Sequence, residues 1–98
     1  MVRGGCVYIM SNRHRTVYYI GVTSDMPTRI YQHRHGRGSA FTKKYQCVDL
    51  IYYQAFGRIE EAIVREKQLK KWKRAWKEEL VKEQNPTLRD LWDEVMNW

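Results

Sequence analysis

The chain has 98 residues, of which 43% are hydrophobic and 30% charged, and it carries a formal net charge of +7 with a sequence pI of about 9.6. This length predicts a single domain over residues 1–98, and the hydrophobic content excludes a disordered chain. The excess of positive charge indicates a polyanionic partner, with nucleic acid ahead of a membrane surface. The plainer alternative is a basic protein that is merely soluble.

The sequence shows neither a recognisable membrane span nor a signal peptide. No apolar run approaches the ~20 residues that a span requires. Cys6 and Cys47 are the only cysteines and form no Cys-x-x-Cys pair, so we expect buried thiols rather than a metal knuckle. Together these features predict a cytoplasmic protein.

Two runs rich in β-branched and aromatic residues, Val7–Met10 and Val17–Val22, are typical of β-strands. The polar segment between them is too short for the crossover that parallel strands need, so the pair is predicted to form an antiparallel hairpin. Side chains alternate between the two faces of a strand. Tyr8 lies on one face of the first strand, and Tyr18 and Tyr19 lie on opposite faces of the second, so one face of the hairpin is expected to carry a phenol from each strand.

A short helix is predicted from Met26 to His35. Ser24 or Asp25 can accept a hydrogen bond from its first free N–H groups. Arg29 and His33 lie four residues apart and so project from one side of this helix. The following segment, residues 36–44, is predicted to be a flexible basic loop. Its Lys43 and Lys44 either contact a backbone phosphate or are simply solvated.

A third strand is predicted from Cys47 to Gln54, followed by a long helical tract from about Ile59 to Glu83. A single straight helix of that length is long for a small domain, so a break near Lys73 into two packed helices is a plausible alternative. The apolar side chains of the tract fall on one stripe at helical spacing. They are Ile59, Ala62, Ile63, Leu69, Trp76 and Leu80.

Glu66 lies near the middle of this apolar stripe. A carboxylate in an apolar setting is costly unless it is paired with a cation. The residues alone leave two interpretations open, which are an ion pair with Arg29 or a nearby lysine, and ligation of a metal ion. Cations also surround the tract, among two tryptophans, and either form a solvated face or follow the phosphates of a nucleic acid. The candidates are Lys70, Lys71, Lys73 and Arg74.

Asn85-Pro86 ends the tract, because the residue before a proline disfavours helix. Residues 87–96 form a short amphipathic ending that is expected to cover the core. The predicted order is β-β-α-β-α-α, which gives a small α+β domain with a three-stranded antiparallel sheet and helices packed on it.

Cys6-Val7-Tyr8 and Tyr19-Ile20-Gly21 resemble the paired signature of the GIY-YIG nuclease family. The further positions that match, in order along the chain, are Arg29, His33, Glu66 and Asn85. Either tripeptide alone would be weak evidence, but the ordered set is specific and spans nearly the whole sequence. The ending at Asn85 is similar to that of the family's small stand-alone bacterial members.

The resemblance implies a metal-dependent endonuclease that hydrolyses phosphodiester bonds in DNA, with RNA left open and DNA repair as a setting. It implies that Glu66 holds one divalent ion, Mg²⁺ or Mn²⁺, and that Tyr8 is the general base for the attacking water. Arg29 would bind the scissile phosphate, Tyr19 would hydrogen-bond that region, and His33 would assist a proton transfer. Gly21 and Asn85 are expected to be structural parts of the motif.

Two positions depart from the family pattern. Cys6 replaces the first glycine of the signature, which an ordinary strand position tolerates. Val22 stands where related DNA-repair incision nucleases carry a lysine, so a cation that could activate the base is missing there. Either His33 or Lys43 stands in, or catalysis is weak.

Three functions therefore compete. The first is a small DNA endonuclease that is structure-directed or poorly selective. The second is a nucleic-acid-binding module of the same fold with weak or lost catalysis, and the third is a basic structural or protein-interaction domain. Intact Tyr8, Arg29 and Glu66 favour the first over the second, and the positive charge disfavours the third.

Overall fold

The first strand of the chain lies at the centre of a three-stranded antiparallel sheet, between the second strand and the third. A computed structural model describes residues 4–98. Its elements, in chain order, are β1 (Gly5–Ser11), β2 (Tyr18–Thr23), α1 (Met26–Arg34), α2 (Ala40–Lys44), β3 (Asp49–Phe56), α3 (Ile59–Lys70), α4 (Arg74–Gln84) and α5 (Trp92–Val95). The predicted α+β class and antiparallel sheet are confirmed, and the short helices α2 and α5 add to the predicted order.

The hairpin places two phenols on one face of the sheet, as the alternation of side chains predicts. Tyr8 pairs with Gly21 across the β1–β2 ladder, and Met10 pairs with Tyr19. Directly paired residues project to the same face, so Tyr8 and Tyr19 lie diagonally next to each other. Their ring centroids are 6.4 Å apart.

Two hydrophobic clusters, one on each face of the sheet, hold the helices in place. Tyr8 belongs to the first cluster, which includes the buried side chains of α1 and α5. The second cluster contains the alternate residues of β1 and the buried side chains of α3 and α4. The sheet is therefore covered on both faces, and α1 lies on the face that carries Tyr8. No helix in residues 4–98 is long and apolar enough to cross a membrane.

The prediction of a flexible loop over residues 36–44 was wrong in its second half, where α2 begins. Ser39 Oγ accepts a hydrogen bond from the Thr42 amide, and Thr42 Oγ1 accepts one from the Ser39 amide. This reciprocal capping satisfies two N–H groups and starts the helix. The third strand also begins later than predicted, at Asp49, because the Cys47 amide donates to the Thr42 carbonyl and belongs to the turn after α2.

The long helical tract is broken, as the alternative interpretation predicted. Helix α3 ends at Lys70 and α4 begins at Arg74, with Lys73 in an extended conformation between them. The break resets the helical phase. Trp76 was predicted to be part of the apolar stripe, but its side chain is 49% exposed, and Val81 is the buried residue of α4.

The segment after α4 is tied to the sheet through backbone and side-chain hydrogen bonds. Asn85 is buried, and its Nδ2 donates to the carbonyls of Ile51 and Arg89 at 3.0 and 2.8 Å. The Leu91 amide donates to the Leu50 carbonyl at 2.7 Å. These bonds fix α5 against β3. Only α5 is helical in the predicted amphipathic ending, since Leu88 has a positive φ of 54°.

Candidate active site

Tyr8 is the buried centre of the candidate site. Its side chain lies on β1 facing α1, and only 1% of the residue is exposed. The phenolic oxygen is 2.7 Å from Nε2 of His33. Burial raises the pKa of Tyr8 to about 12, and the charge of Arg29 opposes that rise without cancelling it. At neutral pH the phenol therefore keeps its proton.

His33 lies on the last turn of α1 and joins that helix to α2. Its Nδ1 is 3.0 Å from Thr42 Oγ1, and its Nε2 is the atom that meets Tyr8. Burial, together with a smaller effect of the neighbouring Arg29 guanidinium, lowers the pKa of His33 to about 4. The imidazole is therefore neutral at neutral pH, with one nitrogen that donates and one that accepts.

The surrounding donors decide which nitrogen carries the proton. Arg29 has only donors to offer the Tyr8 oxygen, so the Tyr8 O–H must donate elsewhere, and His33 Nε2 is the acceptor in reach. With Nε2 accepting, the proton of the neutral ring lies on Nδ1 and is donated to Thr42 Oγ1. The Thr42 hydroxyl can in turn donate to the Ser39 carbonyl at 3.2 Å. The bonds thus run in one direction from phenol to backbone.

Two glycines make room for this arrangement. A Cβ at Gly21 would lie 2.3 Å from the hydroxyl end of the Tyr8 ring, and a Cβ at Gly38 would lie 2.0 Å from His33 Nδ1. Both rings are buried and held by hydrogen bonds, so neither can move aside cheaply. Gly21 and Gly38 are therefore close-approach positions for the two rings.

Arg29 and Tyr19 complete the polar surface next to Tyr8. Burial lowers the pKa of Arg29, but the phenols of Tyr8 and Tyr19 outweigh that effect, and the net shift is upward. Arg29 Nη1 also donates to Gln32 Oε1 at 3.1 Å. The Tyr19 ring lies 5.4 Å from the His33 ring and 5.8 Å from the Phe41 ring, between centroids. The guanidinium is thus held beside two phenols.

Glu66 lies on α3, whose buried side chains pack in the cluster on the opposite face of the sheet from Tyr8. Its charge is the smallest of the effects that raise the pKa of Tyr8. Its side chain is 15% exposed, and an oxygen lies 3.6 Å from Lys70 Nζ. The sequence left open an ion pair with Arg29 or with a lysine, and Lys70 is the partner observed. Lys70 is half-exposed, and such a pair contributes only ~0.3–0.5 kcal/mol, so it is easily replaced.

The donors present match the way that Mg²⁺ binds in nuclease-type sites. No group of three or more His, Cys, Asp or Glu side chains within residues 4–98 forms a cage for an ion. Mg²⁺ usually keeps several waters and takes only one or two carboxylates together with substrate phosphates. A single carboxylate at Glu66 would fit this requirement.

The predicted nucleic-acid-binding cations occupy two separate regions. Lys43 and Lys44 are exposed in the last turn of α2, near the Tyr8 face. The others lie around the α3–α4 break, where Arg74 is already engaged. Its guanidinium donates to the carbonyls of Arg15 and Thr16 at 2.6 and 2.8 Å and lies 4.1 Å from the centre of the Tyr18 ring. Arg74 therefore anchors α4 to the hairpin turn. Lys71 and Lys73 are exposed.

Sequence reasoning missed the residues that hold His33. Thr42 and Gly38 were read as part of a flexible loop, although Ser39 and Thr42 have the spacing of a helix N-terminus. That spacing was the available signal. The contact between Thr42 and His33 joins residues nine positions apart through two helices, and no local pattern reports it.

One face of the three-stranded sheet therefore carries a buried phenol and imidazole with a guanidinium beside them. The chain matches the GIY-YIG catalytic domain over residues 4–79 and belongs to this family.

Small proteins of several microorganisms are similar to this chain over most of its length. A UPF0213 protein of Streptococcus pneumoniae is 42% identical over 77 residues, covering 79% of this chain and 77% of the relative. Relatives with the same UPF0213 description occur in Staphylococcus saprophyticus, at 32% identity over 79% of this chain and 93% of the relative, and in Haloquadratum walsbyi, at 30% identity over 79% and 85%. No solved structure matches the chain.

Proposed function

We propose that this protein is a divalent-metal-dependent endonuclease that hydrolyses phosphodiester bonds in DNA. The observation that carries the proposal is the buried hydrogen bond from Tyr8 to neutral His33, beside Arg29 and within the field of Glu66. A structural core has no need for an imidazole and a guanidinium at one buried phenol, and titratable groups with strongly perturbed pKa values concentrate at functional sites.

Tyr8 acts as the general base through a relay, because its own pKa of about 12 keeps it from ionising at neutral pH. As its oxygen accepts a proton from the attacking water, its O–H proton passes to His33 Nε2. The water becomes the nucleophile, Tyr8 ends neutral and His33 ends charged. Relayed base catalysis of this kind typically contributes ~10²–10⁴ in rate.

Arg29 binds the scissile phosphate, and this binding makes the relay possible. In the free protein the Arg29 charge and burial hold the pKa of His33 at about 4. A phosphate bound at Arg29 offsets that positive charge, so His33 can accept a proton more readily. Tyr19 donates a hydrogen bond to the same phosphate, and the pair stabilises the charge that develops in the transition state.

Glu66 is the residue that would hold Mg²⁺ or Mn²⁺. When bound, the ion supplies Lewis-acid stabilisation of the phosphate and leaving oxygen. Related incision nucleases carry a lysine where this chain has Val22, but this chain does not need that lysine to place a positive charge next to Tyr8. Val22 packs in the cluster on the opposite face of the sheet, and Arg29 already provides a cation beside the phenol.

One assay tests the proposal. The purified protein is incubated with supercoiled plasmid and with branched DNA, in Mg²⁺, Mn²⁺ or EDTA. We expect nicking or cleavage with either metal and none with EDTA. DNA binding without cleavage of any substrate, in either metal, would favour a binding module of this fold instead, and the absence of both would remove nucleic acid as the partner.

A further inference from the structure

A basic cleft lies behind His33, on the side away from Tyr8. It has a volume of about 420 Å³, and three segments form its walls: the β1–β2 turn, the end of α1, and α2 with the turn that follows it. His33 and Thr42 belong to both the cleft and the candidate active site. The volume falls within the ~300–1,000 Å³ range of ligand sites.

All the charged side chains that line this cleft are basic. Arg13, Arg34 and Lys43 line it together with the imidazole of His14, and the lining contains no aspartate or glutamate. Arg13, His14 and Lys43 are exposed and have no ion pair among the described residues. Converging cations in a concave wall focus a positive potential and attract anions.

The Arg34 guanidinium is a rigidly held part of the cleft wall. Its Nη2 lies 2.5 Å from Asp90 Oδ2, and its guanidinium stacks 4.3 Å from the centre of the Trp92 ring, so the group is held in one place. Its Nε–H is buried and has no hydrogen-bond partner among residues 4–98. The guanidinium is therefore a fixed part of the cleft wall whose charge is partly offset by Asp90.

We propose that this cleft binds a second phosphate of the nucleic-acid strand, next to the phosphate that is cleaved. The proposal rests on the proposed function, because the cleft shares His33 and Thr42 with the candidate active site. Arg13 and Lys43 neutralise the phosphate, and the fixed Arg34 guanidinium forms part of the wall beside it. The cleft thereby fixes the strand on the far side of His33 while Arg29 holds the scissile phosphate on the near side.

The first test is a titration of the full chain with inorganic phosphate, followed by NMR. We expect the Arg34 Nε–H signal and the His14 imidazole to shift together with one saturating curve. The same titration on Arg13→Ala/Lys43→Ala should show a much weaker shift. A His14 imidazole signal and an Arg34 Nε–H signal that both stay unchanged up to millimolar phosphate would overturn the proposal.

The second test measures metal-free binding of a single-stranded oligonucleotide in EDTA, where no cleavage occurs. Arg13→Ala/Lys43→Ala should weaken binding at least ~10-fold, since each charge-assisted contact contributes over 1 kcal/mol. Its plot of log K against log[salt] should become shallower by ~0.7–1, as expected when one phosphate is no longer neutralised. The matched control, Arg58→Ala/Lys82→Ala, removes the same two charge types from exposed positions outside the cleft. Equal losses in both variants would overturn the proposal.

The source of the phosphate is distinguished by the ends of the oligonucleotide. If Arg13→Ala/Lys43→Ala weakens the binding of 5′-phosphate and 5′-hydroxyl strands equally, the cleft binds an interior phosphodiester, as proposed. If it weakens only the binding of the 5′-phosphate strand, the cleft captures a strand end, and the interior assignment is overturned. If the cleft substitutions have no specific effect on binding but metal-dependent cleavage is observed, only the second phosphate site is disproved. If the cleft binds phosphate but no substrate is cleaved, only the proposed nuclease reaction is disproved.

Discussion

The phenolic oxygen of Tyr8 lies 2.7 Å from Nε2 of His33 in the buried space between β1 and α1. Burial acts on the two groups in opposite directions: it raises the pKa of Tyr8 to about 12 and lowers that of His33 to about 4. Both groups are therefore neutral at neutral pH, and the shared proton lies on the phenol. Tyr8 can serve as a base only while His33 can take that proton.

The first prediction concerns the hydroxyl of Tyr8. Tyr8→Phe should fold, because the ring still fills its place in the cluster on the α1 face, and should lose ~10²–10⁴ in cleavage rate. Tyr31→Phe is the matched control, since Tyr31 is 47% exposed and its hydroxyl has no hydrogen bond within residues 4–98. Plasmid nicking measures the cleavage rate, and circular dichroism measures whether the variant is folded. Near-parental cleavage by folded Tyr8→Phe would remove Tyr8 as the base and leave Tyr19 as the next candidate.

The second prediction concerns Thr42, which orients His33 without touching the substrate. Thr42→Val keeps the shape but removes the acceptor for His33 Nδ1–H, so the Nε2–H tautomer should become populated and kcat should fall with little change in KM. The ¹⁵N chemical shifts of the His33 ring report the tautomer directly. Thr42→Ser should restore both the tautomer and the rate. A Thr42→Val protein with unchanged ring shifts would contradict this role.

The third prediction separates metal ligation from a structural role for Glu66. Glu66→Gln should abolish Mg²⁺-dependent cleavage while DNA binding persists. The melting temperature should hold, because the ion pair with half-exposed Lys70 contributes only ~0.3–0.5 kcal/mol. Glu61→Gln, at an exposed position of α3, is the control. A large fall in melting temperature, with any residual activity still dependent on metal, would exclude Glu66 as the ligand.

The fourth prediction is a pH dependence of stability that arises from His33. The pKa of this group falls from 6.5 to about 4 on folding, so the unfolded chain binds the extra proton between these values. The stabilisation is present above pH 6.5 and is lost as the pH falls toward 4, by up to about 3 kcal/mol. Urea unfolding at several pH values measures it. The free energy of unfolding of His33→Gln should no longer depend on pH in this range, whereas a substitution of exposed His14 should leave the dependence unchanged. An equal pH dependence in both variants would contradict the assignment to His33.

The fifth prediction concerns nucleic-acid affinity. Given the net charge of +7, DNA binding should depend strongly on salt and weakly on sequence. Neutralisation of ~4–6 phosphates gives a slope of log K against log[salt] of roughly −4 to −5. Fluorescence anisotropy over a salt series measures the slope. A flat titration, or no binding at low salt, would be incompatible with a nucleic-acid substrate.

The sequence by itself determined the hairpin and the face that carries the two phenols. Both follow from local rules: β-branched and aromatic runs form strands, and side chains alternate. The length of the tract after Ile59 likewise indicated two helices. The positions of Tyr8, Tyr19, Arg29 and Glu66 came from an ordered resemblance, because their spacing along the chain alone does not bring them together.

Only the tertiary structure decided what surrounds Tyr8. The packing of α1 on the sheet brings His33 to the phenol, 25 residues away along the chain, and the docking of α2 brings Thr42 to the imidazole. The pKa values of the phenol and the imidazole depend on that burial, which no local pattern contains. The phase of α4, and with it the exposure of Trp76, also depended on a break that no proline or glycine marks. Local propensity sets each element, but the contacts between distant elements set the chemistry.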